Sequence, residues 1–325
     1  MKPFTHTPAH PSTRAHFIAR TLTIGAVLAT VSALAPAGIA SAATSSTATP
    51  SVATPSVATP SANTPSHLSL LSLGDSTTQA NSACDTWTDC PDFSWSTGSA
   101  PVVNSIAQRL QKLLPDTRVS TANFSKSGST VDGVPARVQD AVDAGEKPDV
   151  ITLLIGGNDL CGPGIPVASD GYNMTPVSTF RTGVETAIRM IRSAWPSAKL
   201  ELSSVPDNAT QWEASRGPEG QFRWSSAGFC RATRGVSMTE VPLSPAAASA
   251  SVAAAAKRVV DFNAVLEQAC SADGPLCNWD GGALTRMRFT PDLISSVDHF
   301  HPSAAGQAKI AEVEWNASSF AAGWK

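Results

Sequence analysis

The first 66 residues contain no acidic side chain, and their only Lys or Arg residues are Lys2, Arg14 and Arg20. Positive charge followed by the apolar stretch from Leu22 to Ala40 is the pattern of a secretory leader. Pro36 and Gly38 interrupt that stretch and Ala40-Ser41-Ala42 supplies small residues for cleavage, which argues for a removed signal peptide over 1–42 and against a membrane anchor. Beyond it no apolar run approaches the roughly 20 residues that a bilayer requires, so no stable membrane insertion is expected. Basic patches are lacking too. With the three leader cations set aside from 23 basic residues, 20 remain against 26 acidic ones, a net charge of −6. That balance excludes the electrostatic footprint of a nucleic-acid binder and of a polybasic anchor on anionic lipid.

Paired C-x-x-C spacing is also missing, which removes the usual signature of a structural zinc site. Six cysteines are present: Cys84, Cys90, Cys161, Cys230, Cys270 and Cys277. An even number behind a secretory leader implies disulfides and a secreted, extracellular protein. Proximity favours Cys84–Cys90 and Cys270–Cys277, leaving Cys161–Cys230 to close the long loop.

Residues 43–66 read as a Pro/Thr/Ser-rich linker. Ser51-Val52-Ala53-Thr54-Pro55 recurs as Ser56-Val57-Ala58-Thr59-Pro60 and loosely as Ser61-Ala62-Asn63-Thr64-Pro65. Proline at every fifth position blocks helix and sheet ladders and favours an extended spacer. The rest, 67–325, has the length of one α/β domain.

Strands are expected at Leu68–Leu73, Arg118–Phe124, Asp149–Ile155 and Lys199–Val205, and helices at Val102–Leu114, Val134–Ala144, Phe180–Ala194, Ala246–Ala269 and from Ser303 to about Phe320. Alternation of this kind implies βαβ units and a parallel sheet. Residues 207–245 break it. They read as an insertion over the carboxyl edge of the sheet, carrying Trp212, Phe222, Trp224 and Phe229. Residues 273–292 read as irregular. Trp87, Trp95, Trp212 and Trp224 read as packing residues near the disulfides, with an acyl or sugar site as the alternative.

In a parallel sheet the loops after the strands gather at one edge. Three of them, and a fourth loop before the last helix, hold chemically useful residues. Gly74-Asp75-Ser76 follows the first strand, Gly128 the second, and Gly156-Gly157-Asn158-Asp159 the third; Asp298-His299-Phe300-His301-Pro302 precedes the last helix. Each fragment alone is ordinary turn chemistry. Together they supply a serine nucleophile (Ser76), a histidine base (His301) and an acid to orient it (Asp298). Oxyanion donors would be the backbone N–H groups of Ser76 and Gly128 and the Asn158 amide. Asp75 and Asp159 read as shaping their corners. A metal site on Asp298, His299 and His301 lacks an established ligand spacing.

These blocks, in this order, resemble the SGNH (GDSL-type) hydrolase superfamily: Gly74-Asp75-Ser76 its first block, Gly128 its second, Gly156-Gly157-Asn158-Asp159 its third, and Asp298-x-x-His301-Pro302 its fifth. Thr77 stands where the family pattern has leucine. The resemblance implies a three-layer sandwich around a central parallel sheet, of flavodoxin-like architecture, and a serine ester hydrolase with the roles just given. It implies no cofactor and no metal. The expected partner is a small-molecule or lipid ester, handled by a monomer. Short stretches, Leu154–Cys161 and Ser94–Gly98, are similar to secreted phospholipase B-like members and suggest lipid esters. A carbohydrate acetyl esterase and a non-catalytic binding module are the alternatives.

Overall fold

Val150–Leu154 is buried at every residue, the pattern of a strand covered on both faces, and the sheet is built around it. The computed structural model describes residues 66–320; the expected signal peptide and nearly all of the linker lie outside them. Five strands, β1 (His67–Gly74), β2 (Arg118–Asn123), β3 (Val150–Leu154), β4 (Lys199–Leu202) and β5 (Cys277–Trp279), form one sheet in the order β2-β1-β3-β4-β5. Every pairing is parallel. The helices are α1 (Ile106–Leu113), α2 (Val134–Asp143), α3 (Gly157–Cys161), α4 (Val177–Ala194), α5 (Asn208–Ser215), α6 (Pro218–Ala227), α7 (Arg231–Arg234), α8 (Pro245–Asp273), α9 (Ala283–Arg286) and α10 (Ala304–Ala317). None of them is long and apolar enough to cross a membrane.

The period-two alternation of a strand divides the apolar residues between two faces. Leu71 and Leu73 of β1 and Ile151 and Leu153 of β3 pack with α2, α4 and α8, where Phe180 and Phe262 stack at 3.8 Å between ring centroids. Leu68 and Leu70 join Val150 and Leu154 on the opposite face, against Ile106 and Leu110 of α1 and Ile310 of α10. The result is a helix–sheet–helix sandwich. Strand order reverses direction between β1 and β3, and open α/β sheets leave a crevice at the carboxyl ends of such a pair.

Three local outcomes differ from the sequence expectation. Helix α1 begins at Ile106, not Val102, because Ser105 and Gln108 form a reciprocal capping box. The insertion over 207–245 is largely helical. A fifth strand lies inside the stretch expected to be irregular. It is three residues long, pairs Leu200 with Cys277, and follows α8 across the Cys270–Cys277 disulfide. The other two bridges are Cys84–Cys90, favoured like Cys270–Cys277 by proximity, and Cys161–Cys230, the pair those two leave over.

Candidate active site

Strand β1 ends at Gly74, where φ is +148° and a Cβ would lie 2.5 Å from the Leu154 carbonyl oxygen, so only glycine lets the chain pass β3 so closely. Asp75 Oδ1 accepts the Thr77 N–H at 2.9 Å, and the Ser76 carbonyl accepts Asn81 N–H at 3.0 Å. These bonds turn the chain sharply and hold Ser76 at the carboxyl edge of the sheet. Underneath, Gln307 of α10 donates to the Thr77 carbonyl at 2.9 Å and accepts the Trp95 N–H at 3.0 Å.

The second corner is tied to the first and third. Lys126 N–H donates to the Gly74 carbonyl at 3.0 Å, and the Asn158 side-chain amide donates to the Ser129 carbonyl at 2.9 Å. Between these ties Gly128 takes φ +80°, with open space where a Cβ would stand. The next residue of the third corner, Asp159, accepts the Val131 N–H at 2.9 Å. Ser76, Gly128 and Asn158 therefore come from three successive strand ends laced together by one backbone hydrogen bond and by the Asn158 and Asp159 side chains.

His301 completes the constellation. Its Nε2 lies 2.8 Å from Ser76 Oγ and its Nδ1 lies 2.6 Å from Asp298 Oδ2. Asp298 Oδ1 accepts the N–H groups of Phe300 at 2.9 Å and His301 at 3.0 Å. Burial alone would raise the Asp298 carboxyl. The His301 hydrogen bond, the attraction of the imidazole when it is charged and the Phe300 N–H together outweigh it and hold the group below the usual range. An ionised carboxylate only accepts, so Nδ1 carries the proton and Nε2 is left to accept the Ser76 O–H. His299, its near neighbour, points its backbone elsewhere: its carbonyl accepts the Trp224 indole N–H at 2.6 Å.

Two other buried acids behave in the opposite way. Burial pushes the Asp75 carboxyl up to about 6, against the Thr77 N–H and the charge of His301. It pushes Asp159 up to about 7, against the Val131 N–H and with repulsion from Asp132 and Asp75. Both accept backbone N–H bonds that shape their corners. Among the described residues no group of three His, Cys, Asp or Glu side chains is placed to hold a metal ion.

The insertion forms the wall beside His301. Phe300 meets the His301 ring edge-on at 4.9 Å and stacks on Phe229 at 4.2 Å, while Trp224 packs against Trp212, Phe229 and Phe300. Gln211 donates to the Phe300 carbonyl at 2.5 Å. Sequence reasoning passed over Gln211 and Gln307, because a glutamine bonding a distant carbonyl leaves no spacing signal. Trp95 and Trp224 are packing residues as expected. Trp87 is not: it is 55 % exposed, with the Arg223 guanidinium 5.8 Å from its ring centroid.

Solved structures to which the chain is similar include a psychrotrophic esterase from Pseudoalteromonas sp. (16 % identity, 77 % of this chain and 95 % of that one, TM-score 0.42). A lipase/acylhydrolase from Enterococcus faecalis aligns at 17 % identity over 76 % and 92 % of the two chains, TM-score 0.44. An acetylxylan esterase from Geobacillus stearothermophilus aligns at 16 % identity over 78 % and 94 %, TM-score 0.44. None of the curated proteins matches the sequence significantly. Residues 72–309 match the model of the GDSL-like lipase/acylhydrolase family, and the chain belongs to that family of serine ester hydrolases.

Proposed function

We propose that Ser76 is the nucleophile of an acyl-enzyme hydrolysis, with His301 as its base and Asp298 as the acid that orients His301. The observation that carries this reading is the continuous line from Asp298 Oδ2 through the imidazole to Ser76 Oγ. His301 Nε2 takes the hydroxyl proton as Oγ attacks the ester carbonyl, and Asp298 stabilises the imidazolium that forms. The imidazolium then protonates the departing alcohol. Water, deprotonated by the same nitrogen, attacks the acyl-enzyme and releases the carboxylic acid. The oxyanion faces the N–H groups of Ser76 and Gly128, neither of which donates to another backbone group among the described residues. An amide has two N–H donors, and Asn158 gives one to Ser129, so the other is available as the third contact.

A fluorophosphonate probe is expected to label the protein at Ser76 and to leave Ser76→Ala unlabelled. Labelling of that variant at another serine would sink the assignment.

The substrate in this reading is a carboxylic ester with an apolar acyl chain, supported by the half-buried rings of Phe229 and Phe300 beside His301. A second reading, a short acyl group such as the acetyl of a decorated carbohydrate, is favoured by the narrow cavity shared by Ser76, Asn158, Gln211 and Phe300. Its volume of about 20 Å3 leaves no space for a long acyl chain. A p-nitrophenyl ester series separates the two: kcat/KM rises with chain length in the first and is confined to acetate in the second. The leader-like segment at 1–42 and the three disulfides support a secreted enzyme.

A further inference from the structure

We propose that Gln211 and Trp224 are positioning residues for His301, acting through the two backbone carbonyls that precede it. The inference rests on the reading of His301 as the base.

The loop from Asp298 to His301 is held only in part from within, where the His299 N–H donates to the Ser295 carbonyl at 3.0 Å. His299 has φ +56°, a left-handed conformation that side-chain-bearing residues resist. One side of the loop is fixed from within, by the Asp298 carboxylate on the Phe300 and His301 N–H groups. The His301 carbonyl accepts the Ser295 N–H at 2.8 Å. What remains are the carbonyls of His299 and Phe300, and both are held by the insertion. Trp224 of α6 donates its indole N–H to the first, and Gln211 of α5 donates its amide N–H to the second. The Gln211 amide is itself oriented, because Asn208 Nδ2 donates to its Oε1 at 2.8 Å. Gln211, Trp224 and Asn208 are all buried.

Two donors from separate helices thus hold the carbonyl ends of two successive peptide planes directly before the imidazole, planes whose N–H ends are held by Asp298. The alternative is that they merely satisfy buried carbonyls, as any core donor does. Geometry makes the difference consequential. His301 must keep 2.8 Å to Ser76 and 2.6 Å to Asp298 at once, and an error approaching 1 Å in such a contact lowers the rate by about 100-fold. Loss of one of two carbonyl ties tilts a peptide without freeing the loop, so a smaller loss, about tenfold, is expected for each.

Trp224→Phe keeps an aromatic ring in the core and removes the donor. Gln211→Met keeps the length of the side chain and removes the amide. Each is combined with His301→Ala, and turnover of p-nitrophenyl acetate is measured for the single and double variants. The expected result is a roughly tenfold fall in kcat with little change in KM in the native background, and no further fall when His301 is absent. The low-field Nδ1–H proton resonance of His301 shifts or broadens in both single variants. Equal losses with and without His301, or an unmoved resonance, would overturn the proposal. If Trp224→Phe fails to fold, Gln211→Met and its resonance decide. Native turnover by His301→Ala would be a separate failure, that of the base assignment itself, and is recognised before either positioning variant is compared.

Discussion

Ser76 and Gly128 stand on short loops and Asn158 in the first turn of α3, all at the ends of three neighbouring strands, whereas Gln211, Trp224 and Phe229 stand on or beside helices that interrupt the strand–helix alternation. The first group is fixed by the sheet. β1 and β3 pair up to Gly74↔Leu154, and the corners that follow are joined to each other by Lys126, Asn158 and Asp159. The second group is fixed by side chains reaching across long sequence distances, 75 residues from Trp224 to His299 and 89 from Gln211 to Phe300. A sheet edge thus presents the nucleophile and oxyanion donors at a geometry that backbone pairing enforces. The base sits on a loop outside the sheet, tied by an isolated antiparallel bridge between Ile294 and Pro302, and it depends further on added helices. The chemistry most sensitive to placement is therefore supported by the less regular region.

Replacing Asn158 by Ala tests the sheet-edge half most severely. It removes an oxyanion donor and the tie to Ser129 together, and kcat should fall by about 100- to 1,000-fold with a small change in KM. A variant with undiminished turnover would remove Asn158 from the site and leave the backbone donors alone.

The two regions were not equally legible in the sequence. Val150–Leu154 reads as a central strand because it is apolar on both faces, and Gly74, Gly128 and Asn158 mark corners by residue type. Residues 277–279 did not read as a strand: three half-buried residues are too few for alternation to show, and β5 owes its place to pairing with β4. The helices of the insertion were missed because they lack a broad apolar stripe. In α6 only Gly220 and Trp224 are buried. The start of α1 was legible in Ser105-Ile106-Ala107-Gln108, a capping box overridden by the apolar Val102 and Val103, of which Val102 is exposed. The aromatic character of the insertion pointed to the site, but which carbonyl each donor would meet is a property of the tertiary structure alone.

Cys161–Cys230 joins the two regions, since Cys161 ends the helix that carries Asn158 and Cys230 lies just beyond Phe229. The bridge closes a separation of 69 residues, against 6 for Cys84–Cys90. Removing the long bridge as Cys161→Ala/Cys230→Ala should lower stability by about 2–4 kcal/mol in urea unfolding, and removing the short one by less. Turnover should fall with the first pair even at temperatures where the protein stays folded, because the wall beside His301 is no longer tied to the third corner. Equal losses for the two pairs would mean that the bridge does not couple the regions.

The smallest expected effect concerns the two classes of buried acid. Asp298 is held low by His301, so its ionised form stabilises the fold above the ordinary carboxylate range and that contribution is lost as pH falls through its lowered pKa. Asp159 works in reverse. Its unfolded value is 3.8 and its folded value about 7, so the folded state binds the extra proton between them. Its contribution is present in full below about pH 4 and is lost as pH rises toward 7, at up to about 1.4 kcal/mol per pH unit. The charged groups that act on Asp159 are Asp132 and Asp75, both of like charge, and the Val131 N–H and the Thr175 side chain favour its ionised form. Asp159→Asn keeps an acceptor for the Val131 N–H and removes the titration. The stability of the variant relative to the native protein should then rise with pH across roughly pH 4 to 7 in thermal unfolding. A difference that is flat with pH would show that Asp159 is ionised throughout, and that the corner beneath Asn158 carries a buried charge rather than a buried proton.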